Sequence, residues 1–238
     1  MAQPELTVIT PTYNEREAIV DVLRDLSEAL RDVETEFVVV DDNSPDGTAD
    51  AVREAFAGDA SVRVIVRTQI RGLALSIREG IEASTGHFLL VMDSDGNHSP
   101  ADAHTMYQIC RLVDVVVGSR FVYGGGMADR RRYFASYTYN LFMRFMIGTQ
   151  IDDNLSGFFC IRRDRLMKFD FDKIFWGYGD YFFRLLKFVQ RDKLRLVELP
   201  VFYGPRRGGT SKTAILNILV LYTWEVFKLS FWRITGRW

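Results

Sequence analysis

The stretch Phe88-Leu-Leu-Val-Met-Asp-Ser-Asp-Gly-Asn-His-Ser-Pro100 runs five apolar residues straight into two aspartates one residue apart, then into a Gly-Asn turn. An unbroken apolar run this short predicts a strand buried on both faces, as strands of a parallel sheet are. Ligands of open α/β sheets collect at the carboxyl ends of the strands, where Asp93 and Asp95 fall. Side chains alternate along a strand, so these two carboxylates face the same way while the chain stays extended. Two hard oxygen ligands aimed at one point suit Mg2+ or Mn2+, and a cation there attracts a phosphate. The plainer alternative is that the pair caps the following turn or helix. The stretch alone does not separate the two.

Upstream, the same strand-then-polar-turn pattern recurs. Residues 6–10 read as a strand ended by Pro11-Thr-Tyr-Asn-Glu15. Asn14 is the expected N-cap of a helix whose Ala18, Val22, Leu26 and Leu30 share one face. Residues 37–40 read as a second buried strand, running into the turn-rich Asp41-Asp-Asn-Ser-Pro-Asp-Gly-Thr48. A helix follows with Ala51, Val52, Ala55 and Phe56 inward, then a third strand over Val62–Val66 and a third helix over 72–83. Alternating units of this kind predict an α/β fold with a mostly parallel, doubly wound sheet. Neither G-x-G-x-x-G nor a Walker loop follows the first strand, so dinucleotide and phosphate-loop sites are not supported. Phosphate binding here calls for a metal and arginines. Four strand-end acids, Glu15, Asp42, Asp93 and Asp95, crowd one site, which is costly unless a cation sits among them.

Downstream the character changes. Residues 114–119 form another buried run, ending this time in the cation Arg120. Gly124-Gly-Gly-Met127 reads as a flexible flap. Arg130, Arg131 and Arg132 precede a helix over 133–148 rich in aromatics and methionine, which packs in the core or against lipid. Residues 154–161 read as a turn and strand and 180–189 as an amphipathic helix. A last strand over 194–202 is placed at an edge by Pro200. Arg206-Arg-Gly-Gly-Thr-Ser-Lys212 is a basic loop. The apolar tail, 214–232, is near the minimum length for a bilayer. Glu225 and Lys228 inside it would each cost about 2.5–3.5 kcal/mol near a bilayer centre. Trp224, Trp232 and Trp238, with Arg233 and Arg237, suit the membrane–water boundary instead; a core or dimer helix is the alternative.

At 238 residues the chain can bury a full core. Lys+Arg 30 against Asp+Glu 31 leave a net charge of −1, so no nucleic-acid partner is expected and any basic site is local. Cys110 and Cys160 have no metal spacing, and the amino terminus has no secretory signal, which together suggest a reduced, cytoplasmic protein. His98 and His104 read as turn and helix-surface residues, since hard metals prefer oxygen.

With these pieces in order, the chain resembles the family-2 glycosyltransferases of GT-A fold, in particular the dolichol-phosphate mannose synthase group. The motifs that carry the resemblance are Pro11-Thr-Tyr-Asn-Glu15, Val40-Asp-Asp-Asn-Ser-Pro-Asp-Gly-Thr48, Met92-Asp-Ser-Asp95, Gly118-Ser-Arg120, Ser156-Gly-Phe158 and Arg206 with Gly209-Thr-Ser-Lys212. It implies a Rossmann-like GT-A domain over 1–212, with a nucleotide-sugar half (1–117) and an acceptor half (118–212), then a membrane-interface or packing helix over 213–238. By the same resemblance Pro11, Tyr13, Glu15, Val40 and Asp42 form the nucleoside pocket. Asp93, with Ser94 beside it, contacts the sugar nucleotide, and Asp95 holds Mg2+ or Mn2+ with help from Asn97. The family's usual Asp-Ala-Asp-Leu-Gln-His-Pro-Pro is altered here at Ser94, Gly96, Asn97 and Ser99. Its Gly-Leu-Gly is Gly72-Leu-Ala74.

The implied reaction is metal-dependent, inverting transfer of mannose or glucose from a GDP- or UDP-sugar to a polyprenyl or dolichyl phosphate at the cytoplasmic face of a membrane. Arg206 and Lys212 steady the departing diphosphate, and Arg120, Arg132 and Ser136 clamp the acceptor phosphate. A lipid phosphate is already anionic near neutral pH and needs no strong base. A hydroxyl acceptor is the second reading, with Asp180 as its base unless that residue only caps the helix after it. A non-catalytic nucleotide-sugar-binding membrane subunit is the third. Association of the chain with itself is left open.

Overall fold

The computed structural model describes residues 3–207 and 215–235. The strands are β1 (Leu6–Thr12), β2 (Thr35–Asp41), β3 (Val62–Val66), β4 (Phe88–Val91), β5 (Val115–Ser119), β6 (Gly126–Met127), β7 (Phe159–Arg162), β8 (Leu196–Pro200) and β9 (Phe202–Tyr203). The helices are α1 (Ile19–Ala29), α2 (Thr48–Ala55), α3 (Leu73–Ala83), α4 (Pro100–Cys110), α5 (Arg130–Ile147), the short α6 (Arg163–Leu166), α7 (Asp180–Arg191) and α8 (Ile215–Thr235).

Seven strands form one sheet in the order β3-β2-β1-β4-β7-β5-β8. All neighbours run parallel except β7, which is antiparallel to both β4 and β5. Residues on alternate sides of each strand feed two different cores. Val8 and Leu90 point to the face covered by α1 and α4, while Ile9, Leu89 and Val91 point to the face covered by α3 and α7. That two-sided burial is why the strands read as unbroken apolar runs. The sheet is continuous across 117–118, a point that falls inside β5. Pro200 ends the edge strand β8, where a missing N–H leaves no inner ladder unpaired.

Local structure departs from the sequence expectations at several points. Asn14 is not the N-cap of α1, which begins at Ile19. Asn14 instead takes a left-handed turn (φ 55°) and donates its amide to Ser44 Oγ at 2.9 Å. Ala55 is exposed, and the inward positions of α2 are Thr48, Ala49 and Val52. The glycine flap is pinned, because β6 pairs in parallel with β9 to make a second, two-stranded sheet.

Helix α8 packs one face on the protein. Val226 and Leu229 join Met143, Ile147 and Phe183 in a third apolar cluster. Glu225 is buried against the guanidinium of Arg184 at 3.4 Å and takes Lys228 at 2.9 Å. The charges that made the tail a poor bilayer span are therefore paired with each other, Glu225 buried and Lys228 partly exposed. No helix among the described residues is long and apolar enough to cross a membrane.

Candidate active site

A cavity of about 830 Å³ opens at the carboxyl ends of β1, β2 and β4. Pro11, Tyr13 and Glu15 line it from the turn after β1, and Asp42 from the end of β2. Asp93, Ser94, Asp95 and Asn97 line it from the turn after β4, and Arg120, Arg132 and Arg206 come from the later half of the chain. Lys212 lies outside the described residues.

Arg206 joins the two sides. Its Nη1 lies 2.7 Å from Asp95 Oδ2 and its Nη2 2.8 Å from Glu15 Oε1. One planar guanidinium thus spans two strand-end carboxylates, which offsets the crowding of acids in this corner. The segment carrying it is stitched to the aspartate turn by Gly204 N to Asn97 O (3.0 Å) and Arg207 N to Asp95 O (2.9 Å). Gly96, at φ 78°, lets this happen. Arg207 Cδ lies 2.7 Å from where a Cβ on Gly96 would stand, so no larger residue fits under the strap.

The aspartate pair is held at some electrostatic cost. Burial pushes Asp93 up to about 6, with Arg206 opposing the shift and the Glu15 charge adding to it. Its side chain is 46% accessible, but through the mouth of the cavity. Burial and the neighbouring Asp93 charge also raise Asp95. Asn97 offsets part of this by donating its amide to Asp95 Oδ1 (3.1 Å) and its side-chain nitrogen to Oδ2 (2.9 Å). Asn97 Oδ1 is then buried with no partner among the described residues. An orphaned carbonyl oxygen beside a carboxylate is a donor set that a hard divalent cation accepts, and Mg2+ fills the rest of its shell with water and phosphate. Among the described residues no cluster of three or more His, Cys, Asp or Glu offers a dedicated metal cage.

At the ends of β2 and β3, Asp42 is engaged by the guanidinium of Arg67 and accepts the Gly72 amide at 2.9 Å. Arg71 lies over the Tyr13 ring at 4.1 Å. Val40 does not reach the cavity. It is fully buried and packs toward Gly80 of α3; Asp42, two residues on, lies past the end of β2, where the α3 side of the sheet opens into the cavity. On the far side, Arg120 is committed to Asp153 through Nε (2.7 Å) and Nη2 (2.8 Å). Arg132 faces the cavity from the first turn of α5, which Asp129 caps. Ser136, one turn on, does not line it.

Residues 7–171 match glycosyl transferase family 2. The chain belongs to this family. It is 38% identical over 218 residues to an undecaprenyl-phosphate mannosyltransferase of Micrococcus luteus, covering 87% of this chain and 86% of the relative. It is 34% identical to a polyprenol monophosphomannose synthase of Mycolicibacterium smegmatis, covering 97% and 87%. Among solved structures, the mannosyltransferase PcManGT from Pyrobaculum calidifontis, in complex with GDP-Man and Mn2+, aligns over 99% of this chain and 65% of its own, with TM-score 0.65 and 22% identity. That likeness is one of fold, and the fold is GT-A.

In this family-2 glycosyltransferase, sequence reasoning missed Arg67 and Arg71, although both follow β3 as the acids follow their own strands. His98 does lie in the turn after β4, where it is buried and stacked on Phe158 at 4.3 Å. His104 does lie on the surface of α4, 3.1 Å from Asp32. Asp180 is the first residue of α7, and Gly179 is the cap. Its carboxylate is buried, accepts Tyr178 N at 2.6 Å and meets Arg184 Nη1 at 2.5 Å, and it does not line the cavity. Cys110 and Cys160 are both buried free thiols.

Proposed function

We propose that this glycosyltransferase moves a hexose, mannose by the naming of its two relatives, from a nucleoside diphosphate to a polyprenyl phosphate with inversion and with a divalent cation. The observation that carries the reading is that one cavity is lined by the strand-end carboxylates, with Arg206 bound to two of them, and also by Arg120 and Arg132. Two anions must meet in this reaction, and the cavity supplies charge for both of them.

Asp95 and Asn97 would hold Mg2+ or Mn2+, which when bound supplies positive charge to the pyrophosphate as it leaves. Arg206 lies against the same carboxylate and steadies the leaving group from the protein side. Pro11, Tyr13, Glu15 and Asp42 hold the nucleoside, with Arg71 and Arg67 around them. Asp93 and Ser94 face the sugar. Arg132 orients the acceptor phosphate by its fork of donors, while Arg120, fixed by Asp153, contributes field more than new hydrogen bonds. The commitment of Asp180 to Arg184 favours a phosphate over a hydroxyl acceptor, because it leaves no free carboxylate at that place to act as a base.

Membrane contact belongs to the same reading. Helices α5 and α8 pack together and expose Phe134, Tyr137, Leu141 and Phe145 on one and Val220, Trp224, Phe227 and Phe231 on the other. These recur at helical spacing, so each helix presents a stripe, with Arg130 and Arg131 exposed at one end. Aromatic stripes flanked by arginine suit the cytoplasmic surface of a membrane. The test is incubation of purified protein with Mn2+, radiolabelled GDP-mannose and phytanyl phosphate. Lipid-extractable label is expected. No lipid-linked product with any GDP- or UDP-hexose, despite intact nucleotide binding, would sink the reading in favour of a non-catalytic binder.

A further inference from the structure

We propose that His98 is a positioning residue that presets the Asp93 carboxylate through a neutral N–H held beside it. The inference rests on the function read above. The turn after β4 closes on itself: Gly96, at positive φ, brings His98 back over Asp93, whose amide N–H reaches His98 Nδ1 at 3.3 Å. A backbone N–H can only donate, so Nδ1 must accept, and a neutral imidazole then carries its proton on Nε2.

Nε2 is buried with no partner among the described residues, and Asp93 Oδ2 stands 4.0 Å from it. A buried N–H without an acceptor is costly, as is a carboxylate crowded by Glu15 and Asp95. A small rotation of Asp93 resolves both. The donor is uncharged, so it steadies one carboxylate without repelling a cation at the other. The ring itself cannot wander: it stacks on Phe158 (4.3 Å, 9° between planes) and meets the Tyr203 ring at 4.6 Å. Tyr203 in turn carries the Arg120 guanidinium at 4.8 Å. His98 therefore fixes the donor-side carboxylate against the wall that holds the acceptor-side arginine.

Two measurements test this. In protein labelled with 15N at its three histidines, with His98→Phe used for assignment, the His98 ring at pH 7 should have the proton on Nε2 and an unprotonated Nδ1. A proton on Nδ1 overturns the inference whatever reaction the enzyme catalyses. In transfer assays, His98→Phe keeps the stack and loses both nitrogens, His98→Asn restores only an acceptor near Nδ1, and His98→Gln restores only a donor near Nε2. The Phe and Asn variants should lose kcat by about 10²-fold, with acceptor KM and GDP affinity within about twofold of wild type. The Gln variant should regain about tenfold of that loss. Wild-type kcat in the Phe variant, or equal loss in Gln and Asn, overturns it. If the Phe variant does not fold, the Gln and Asn pair still decides. Absence of transfer by the wild type defeats the reading of function instead, and the tautomer then decides this inference alone.

Discussion

Arg206 grips two carboxylates with one guanidinium, and both of its partners come from the first half of the chain. Asp95→Asn keeps the shape but removes the charge that a divalent cation needs, so kcat should fall about 10²- to 10³-fold; Mn2+ titration by paramagnetic resonance should find weaker binding in the same variant. Asp180→Asn should behave in the opposite way. Breaking its buried pair with Arg184 should cost about 3 kcal/mol of stability in urea unfolding, while kcat with a lipid phosphate stays within about threefold of wild type. Loss of all activity with an intact fold would restore the hydroxyl-acceptor reading. The strand-end acids were legible in the sequence because charge after an apolar run is a local pattern. Val40 was misjudged as a cavity residue because a motif names neighbours without saying which alternate ones face inward. Arg67 was missed, and the burial of the turn residue His98 was not legible, because both arise from partners, Asp42 at 25 positions' remove and Phe158 on another segment.

Among the elements, two contacts show how the sheet is trimmed to bring those acids together. Gly80 lets α3 lie close on β1 and β2: a Cβ there would stand 2.5 Å from Ile9 Cγ2 and 3.1 Å from Val40 Cγ2. Gly80→Ala gains helix propensity, yet overpacking should win and lower stability by about 1–2 kcal/mol in chemical denaturation. Glu36, at the start of β2, ties that strand to the turn before β4. Burial disfavours its charge, but hydrogen bonds from Thr7 and Thr85 outweigh this and hold its carboxyl below the usual glutamate range. A lowered native pKa means the unfolded chain binds the proton more readily, so the stability Glu36 contributes is full above about pH 4.5 and lost as pH falls through the native value. Glu36→Gln should therefore cost about 2 kcal/mol at pH 7, with the gap to wild type closing below pH 4. An unchanged gap across that range would contradict the assignment. The parallel run of β1 to β4 followed from the alternation of strands and helices. The reversal of β7 between β4 and β5 did not, since an apolar run carries no direction.

In the whole molecule, one cavity gathers the strand-end acids with Arg206, Arg120 and Arg132, while α5 and α8 present aromatics outward. The aromatic bias of the later half was visible in the sequence, but which side of α8 packs was not: that is set by Arg184, on α7, meeting Glu225. Trp224→Ser with Phe227→Ser should abolish sedimentation with vesicles of anionic phospholipid and leave melting temperature within a few degrees, both residues being exposed. Retained vesicle binding would move the membrane contact elsewhere. The most direct test of this site is a crossed comparison of Arg132→Gln and Asp95→Asn, with GDP–Mn2+ affinity measured by calorimetry and acceptor KM measured with phytanyl phosphate. The account predicts that Arg132→Gln raises acceptor KM about tenfold or more and leaves GDP–Mn2+ affinity unchanged, with Asp95→Asn doing the reverse. Equal effects of either variant on both ligands would contradict it.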